Sequence, residues 1–233
     1  VIDRNDPEFW SDMADVVLKA TGQTFYMVLM ALLITVVVGL AVGVLLVTTE
    51  PGGLLAKPFR SRRLGVVINR VLELITNLGR SVPFIILMIL LIPVTRFLVG
   101  SFIGPTAAIV PLSVAGIPFF ARLVEIAIRE VPAGVVEAAE SLGASRWTIL
   151  TKVLIAESVP ALMLGLSTTV VSLIAYSAMV GTVGGGGLGD VAYRYGFQRY
   201  SLEYMLVVVA ILVIVVQILQ SLGNRVARRL SHR

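Results

Sequence analysis

Long apolar runs alternate along this chain with short charged ones, and the apolar runs are longer than a soluble fold needs. From Thr21 to Thr49 no charged residue occurs, more than the about 20 residues that cross a hydrocarbon core of roughly 30 Å. A first span is predicted over about residues 21–47. Ahead of it, Asp6-Pro7-Glu8 offers an N-cap acid and a proline at the first helical position. Phe9, Met13, Val16, Val17 and Ala20 then form one apolar stripe, which reads as an interfacial helix. Gly39 and Gly43 stand four apart within the span, a spacing that lets helices approach closely, and ordinary packing is its expected use. Glu50-Pro51-Gly52-Gly53 ends the helix, and Lys57, Arg60, Arg62 and Arg63 follow as a basic loop.

The second span is less tidy. Arg70, Glu73 and Arg80 lie on its helical pattern before the apolar run from Ser81 to Thr95, so one long helix over about 65–94 is expected, its charged turns buried against protein or wetted by a cavity. Arg80 then lies at or near membrane depth, as a pore residue or as an arginine snorkelling from a kinked helix. A tight turn over Phe97 to Gly104 leads to a third span, about 105–128. Pro111, Gly116 and Pro118 should make it irregular, and irregular backbone at that depth must face protein or a water-filled cavity. A fourth span over about 159–183 carries Gly165, Thr169, Ser172 and Tyr176 as a small and polar stripe, suited either to helix packing or to lining a pore. A glycine-rich loop, Gly181 to Gly189, precedes a fifth span over about 204–224, and Arg225, Arg228, Arg229 and Arg233 close the chain.

Composition fits this pattern: 57% hydrophobic and 14% charged residues indicate an integral membrane protein. The net charge of +5 comes from basic residues beside apolar spans, where membrane orientation explains them better than nucleic-acid binding does. With the carboxyl terminus in the cytoplasm, most of the 19 Lys and Arg residues fall on the cytoplasmic side and the acidic amino terminus falls outside. No cysteine and a single histidine, His232, leave no basis for disulfides, thiol catalysis or a cysteine-histidine metal site. Residues 1 to 20 hold five acids and two bases, unlike a secretory signal, so the first span is expected to stay as an anchor.

One charged, amphipathic stretch interrupts the apolar runs: Glu137 to Pro160, within a loop of about 133–155. Val136, Ala139, Leu142, Ile149, Leu150 and Val153 recur at helical spacing, while Glu137, Glu140, Arg146 and Lys152 form the polar complement. Gly143 is where the helix should bend and where another protein can approach the backbone. The alternative is an amphipathic helix lying in the headgroups, but the mixed charge suits an anionic surface poorly.

Glu137-Ala138-Ala139, three residues, then Gly143 resembles the EAA loop of the membrane-spanning subunits of ABC importers. Two further stretches, Arg80-Ser81-Val82-Pro83-Phe84 and Gly184 to Gly196, are similar to the pore-forming second span and the outer loop of the methionine-uptake branch. One departure is that the Leu-Pro often ending the motif is Ile155-Ala156 here, with proline delayed to Pro160. The resemblance implies an all-α polytopic membrane protein of the type I importer permease fold, in the bacterial cytoplasmic membrane, with five transmembrane helices and a cytoplasmic coupling loop. It implies docking of an ATPase dimer through Glu137, Ala138, Ala139, Leu142, Gly143 and Arg146. Pore or gate candidates are Arg80, Ser81, Pro83, Ser172, Tyr176, Gly184 and Gly187. It further implies a second copy of the chain and an extracytoplasmic binding protein that delivers methionine, D-methionine included.

This chain itself is expected to bind no cofactor. ATP and Mg belong to the partner, because no G-x-x-x-x-G-K-[ST] is present, and the G-x-G-x-x-G at Gly184, Gly186 and Gly189 follows a membrane span instead of a strand. Another small amino acid or polar solute is the alternative cargo. A membrane-embedded enzyme using Ser167 or Ser172 with Tyr176 would lack any activating histidine, lysine or carboxylate in that span. A self-sufficient secondary transporter would need intramembrane carboxylates, and only Glu73 is expected to approach membrane depth.

Overall fold

The computed structural model of the chain describes residues 7–50, 53 and 62–231. Asp6, Pro51, Gly52, Lys57, Arg60, His232 and Arg233 lie outside the described residues. Among those described, the regular elements are all helical: α1 Phe9–Thr48, α2 Arg62–Ser81, α3 Phe84–Leu90, α4 Ile92–Val99, α5 Pro105–Arg129, α6 Ala133–Ser141, α7 Arg146–Thr148, a π-helical segment Ile149–Leu154, α8 Ile155–Gly181, α9 Gly187–Val191, a second π-helical segment Ala192–Gln198 and α10 Leu202–Ser231. Four helical stretches are long and apolar enough to cross a membrane: Phe9–Thr48, Pro105–Arg129, Arg146–Gly181 and Leu202–Leu230. The bent pair Arg63–Ser81 and Phe84–Leu90 makes a fifth if it is one span.

Several boundaries differ from the sequence reading. The helix expected over 65–94 is broken: α2 ends at Ser81, Pro83 stands extended at φ −55° and ψ 133°, and the axis turns by 108° before α3 continues. A proline disfavours the helical conformation of the residue before it and removes a donor, so the break falls at Val82-Pro83. Helix α4 extends to Val99, further than the turn predicted at Phe97. The stripe ahead of the first span is not a separate interfacial helix but the start of α1, a 40-residue helix about 60 Å long. Despite Pro111, Gly116 and Pro118, α5 is an unbroken helix. Much of α5 is covered by the chain itself: 61% of its most apolar stretch is buried, against 6% in α10. Pro160 ends nothing, because α8 runs through it.

Two compact units divide the chain. The first comprises Val1–Leu33, Val82–Gly116 and Val170–Gln220. One of its cores joins Met27 and Ala31 of α1 to Phe84, Leu87 and Met88 of α3, Leu112 of α5 and Leu173 of α8. In the other, Phe9, Met13, Val17 and Ala20 pack on Leu188, Val191, Tyr204 and Val208. The apolar stripe of α1's first turns is therefore covered by the chain itself.

The second unit comprises Ile34–Ser81, Ile117–Thr169 and Ser221–Arg233. Its core is Phe120, Val124 and Ile128 of α5 with Ile149, Leu150 and Leu154, flanked by Val36, Leu40, Val44 and Val47 of α1. The small residues act as expected: a Cβ on Gly43 would lie 2.5 Å from Val124 Cβ and 2.6 Å from the Ala121 carbonyl, so α1 and α5 touch there within one chain.

Candidate docking turn and transport residues

Glu137 to Arg146 forms a helix, a turn and a new helix start. α6 closes on Leu142, whose N–H donates to the Ala138 carbonyl at 3.2 Å. Gly143 then takes φ +76°, a left-handed conformation that costs an L-residue roughly 1–2 kcal/mol and glycine nothing comparable. Its N–H donates to Glu140 O at 2.9 Å, and Ala144 N–H reaches back to Ala139 O at 3.0 Å, satisfying carbonyls that a helix end leaves open. Ser145 restarts the helix by accepting from Thr148 N–H at 3.1 Å, the N-cap arrangement.

The turn has a buried and an open side. Val136, Ala139 and Ala144 pack against the core of Ile149, Leu150 and Leu154. Glu137, Ala138, Gly143 and Arg146 are exposed, and a Cβ on Gly143 would meet nothing within 4 Å. Leu142, placed on the buried stripe by helical spacing, is instead 89% exposed, because the chain turns after α6 and the periodicity does not carry through. Trp147, which no motif singled out, is 72% exposed. In sequence, exposed Leu142 directly precedes the bare glycine and exposed Trp147 follows four residues later, among the exposed charges of Glu137 and Arg146.

The transport candidates separate. In the first unit, Tyr176 stacks on Phe84, ring centroids 4.5 Å apart and planes at 11°, so the residue after Pro83 and the polar tip of the stripe come together. Ser172 lies one turn before Tyr176 and is partly buried. Gly184 lies in the turn between α8 and α9, and Gly187 is the first residue of α9. Gly184 O accepts from Gly104 N–H at 2.9 Å. α9 begins where Gly187 N–H donates to Gln23 Oε1 and Leu188 N–H to Thr24 Oγ1, both at 2.9 Å. Just beyond, Asp190 accepts from Arg194 Nε at 2.7 Å and Nη2 at 2.5 Å, hydrogen bonds that raise Arg194 above its ordinary value and keep it cationic.

In the second unit, Arg80 is exposed in the last turn of α2, and Ser81 Oγ donates to Asn77 O at 2.7 Å. Gly165 packs against Leu123, 3.2 Å from a built Cβ. Thr169 is fully buried and donates to Gly165 O at 2.8 Å. That half of the stripe is helix packing, while Ser172 and Tyr176 belong to the first unit. The sequence reading also passed over a carboxylate: Glu125, inside α5 and 2% exposed, where only Glu73 was expected to approach membrane depth. Its arginine partners at positions 122 and 129 stand at helical spacing, a signal that was available.

Comparison with known proteins gives a consistent set. The family described as "Binding-protein-dependent transport system inner membrane component" matches residues 51–232. The chain is 50% identical over 220 residues to a probable D-methionine transport system permease protein MetI of Vibrio cholerae, covering 94% of both chains. It is 45% identical to the methionine import system permease protein MetP of Bacillus subtilis, over 71% of this chain and 75% of that one. Among solved structures, a chain of the MetNI methionine ABC transporter in an inward-facing conformation aligns with a TM-score of 0.87 at 39% identity, covering 97% of this chain and 99% of that one. An amino acid ABC transporter chain at 19% identity and a TM-score of 0.77, covering 98% and 99%, shares the fold.

Proposed function

Given that the chain belongs to the binding-protein-dependent transport system inner membrane components, we propose that it is the permease of an ATP-driven methionine importer, D-methionine included. One observation carries the substrate. Identity with the Vibrio cholerae permease extends over 220 residues, further than the family match of 51–232, so it takes in most of α1 as well as the shared permease region. In this reading two copies of the chain form the pathway, the amino terminus lies outside and the carboxyl terminus in the cytoplasm. A binding protein delivers methionine to the outer side, and a cytoplasmic ATPase pair docks on the Gly143 turn.

The helix that restarts at Arg146 runs on through α8 to Ser172 and Tyr176. A displacement of the turn, when ATP closes the ATPase pair, is thereby delivered along one element to the transport candidates. The chain's own work is to conduct and to couple, and hydrolysis is the partner's. Exposed Leu142 and Trp147 supply apolar contact area, and Glu137 and Arg146 set charge register.

Reconstitution of the chain with its ATPase partner and binding protein in vesicles tests this. ATP-dependent accumulation of labelled methionine, competed by unlabelled D-methionine, is expected. Accumulation of a different amino acid, with methionine neither taken up nor competing, would overturn the substrate assignment and favour a permease for another small amino acid.

A further inference from the structure

Glu125 buries both carboxylate oxygens against arginines of its own helix. Oε2 accepts from Arg122 Nη1 at 2.7 Å, and Oε1 from Arg129 Nε at 3.1 Å and Nη2 at 2.9 Å. Arg129 does not stop there. Its Nη1 reaches Glu50, 3.2 Å from Oε1 and 3.1 Å from Oε2, across a sequence separation of 79. One guanidinium thus holds a carboxylate of α5 and another two residues beyond the end of α1. The planar fork of arginine can do this, and the compact ammonium of lysine cannot hold both in the same geometry.

The two halves of this chain of charges differ in what they are worth. Glu125 is nearly dry, and a carboxylate there without a cation would be costly, so its pairing is part of the fold. Glu50 and Arg129 are 38% and 45% exposed, and an ion pair of that exposure adds little to stability. Its location is more informative than its strength. Arg129 is the last residue of α5, and Pro132, the N-cap of α6, follows closely. The Glu50 link therefore ties the base of the docking segment to α1, whose end is otherwise joined to α5 by apolar contacts at Gly39 and Gly43.

We infer that the Glu50–Arg129 ion pair is a positioning contact for energy coupling: it holds the base of the docking segment still, so that a push on the Gly143 turn is delivered into α8 instead of being absorbed by hinging at residues 130–132. The inference rests on the docking reading above. Glu50 and Arg129 are positioning residues, since neither is placed against substrate or nucleotide.

The test uses the full complex in vesicles, reading ATP hydrolysed per methionine imported in Glu50→Gln, Arg129→Lys and the double variant. Arg129→Lys still neutralises Glu125, so assembly and melting temperature should remain close to those of the parent. Each single variant should raise the ATP-to-methionine ratio by about twofold to fivefold, the upper part of the range for losing one partly exposed ion pair. The double variant should be no worse than either, because both changes break the same link. Glu50→Asp, which retains the charge, should restore most of the coupling. An unchanged ratio in both single variants, or additive losses in the double, overturns the inference. Gly143→Trp measured alongside separates the two readings. Normal coupling there removes the docking reading itself, whereas uncoupling there with normal coupling in Glu50→Gln removes only the positioning role.

Discussion

At Gly143 and Gly187 the backbone is left-handed, with φ of +76° and +78°, yet the two glycines answer to different demands. A Cβ on Gly143 meets open space, whereas one on Gly187 would sit 2.6 Å from both Met27 Cε and Thr24 Oγ1. Gly143→Ala should therefore cost only the backbone term of roughly 1–2 kcal/mol and leave transport largely intact. Gly143→Trp, which fills the approach without touching the chain's own core, should abolish uptake while the chain is still expressed and still pairs with its second copy, as uptake and native mass spectrometry measured together will show. Gly187→Ala adds overpacking of about 1–3 kcal/mol to the backbone strain and disturbs the Thr24 cap of Leu188. It should lower the melting temperature of the detergent-solubilised protein measurably, and an unchanged melt would contradict the capped start of α9. The turn at Gly143 was legible because glycine at a helix end has few other uses. The exposure of Leu142 and Trp147 was not, because spacing extrapolated across a bend assigns side chains to the wrong face.

Among the elements, the end of α1 shows how a helix terminus is completed by its neighbours. The last four carbonyls of a helix lack intrahelical donors, and here Leu46 O accepts from Asn69 Nδ2 of α2 at 2.7 Å, while Leu45 O accepts from Thr49 Oγ1 at 2.6 Å. Asn69 is buried and also reaches Thr49 Oγ1 at 3.3 Å. Replacing it with Leu removes the donor and leaves a buried carbonyl unpaired, a loss of about 1–3 kcal/mol. Asn69→Leu should make the amides at the end of α1 and in α2 exchange faster with deuterium, and unaltered protection would refute that role. Asn69 stands on a helix whose polar residues all looked alike in the sequence, and only the packing of α2 on α1 distinguishes it. The broken second span has a similar origin. The proline announced a perturbation, but whether it kinks a helix or ends one depends on what receives the next turn, and Phe84 is received by Tyr176 and the α3 core.

For the whole molecule, the orientation proposed from charge and the two copies proposed for the pathway are both open to direct measurement. Cysteines at the exposed positions Ser11 and Ser141 should be labelled by an impermeant maleimide from opposite sides of the membrane, Ser11 from outside and Ser141 only after the cytoplasmic face is opened. Labelling of both from one side would reject the topology. Native mass spectrometry of the purified complex should give two copies of this chain, and a functional complex with one copy would exclude a shared pathway. By itself the sequence determined the membrane class, the all-helical pattern of long apolar runs and the helix-ending turn at Gly143, and it supplied the charge bias behind the proposed orientation. Each of these depends on local composition: a run long enough to cross hydrocarbon, a cluster of cations, a glycine at a helix end. Tertiary structure alone decided that the α1 stripe is covered by Leu188, Val191, Tyr204 and Val208, that the start of α9 is capped by Gln23 and Thr24, that Gly165 packs on Leu123 while Tyr176 stacks on Phe84, and that Arg129 reaches Glu50. Those outcomes pair residues tens to more than a hundred positions apart, and periodicity along one strand of sequence carries no information about which distant helix will supply the partner.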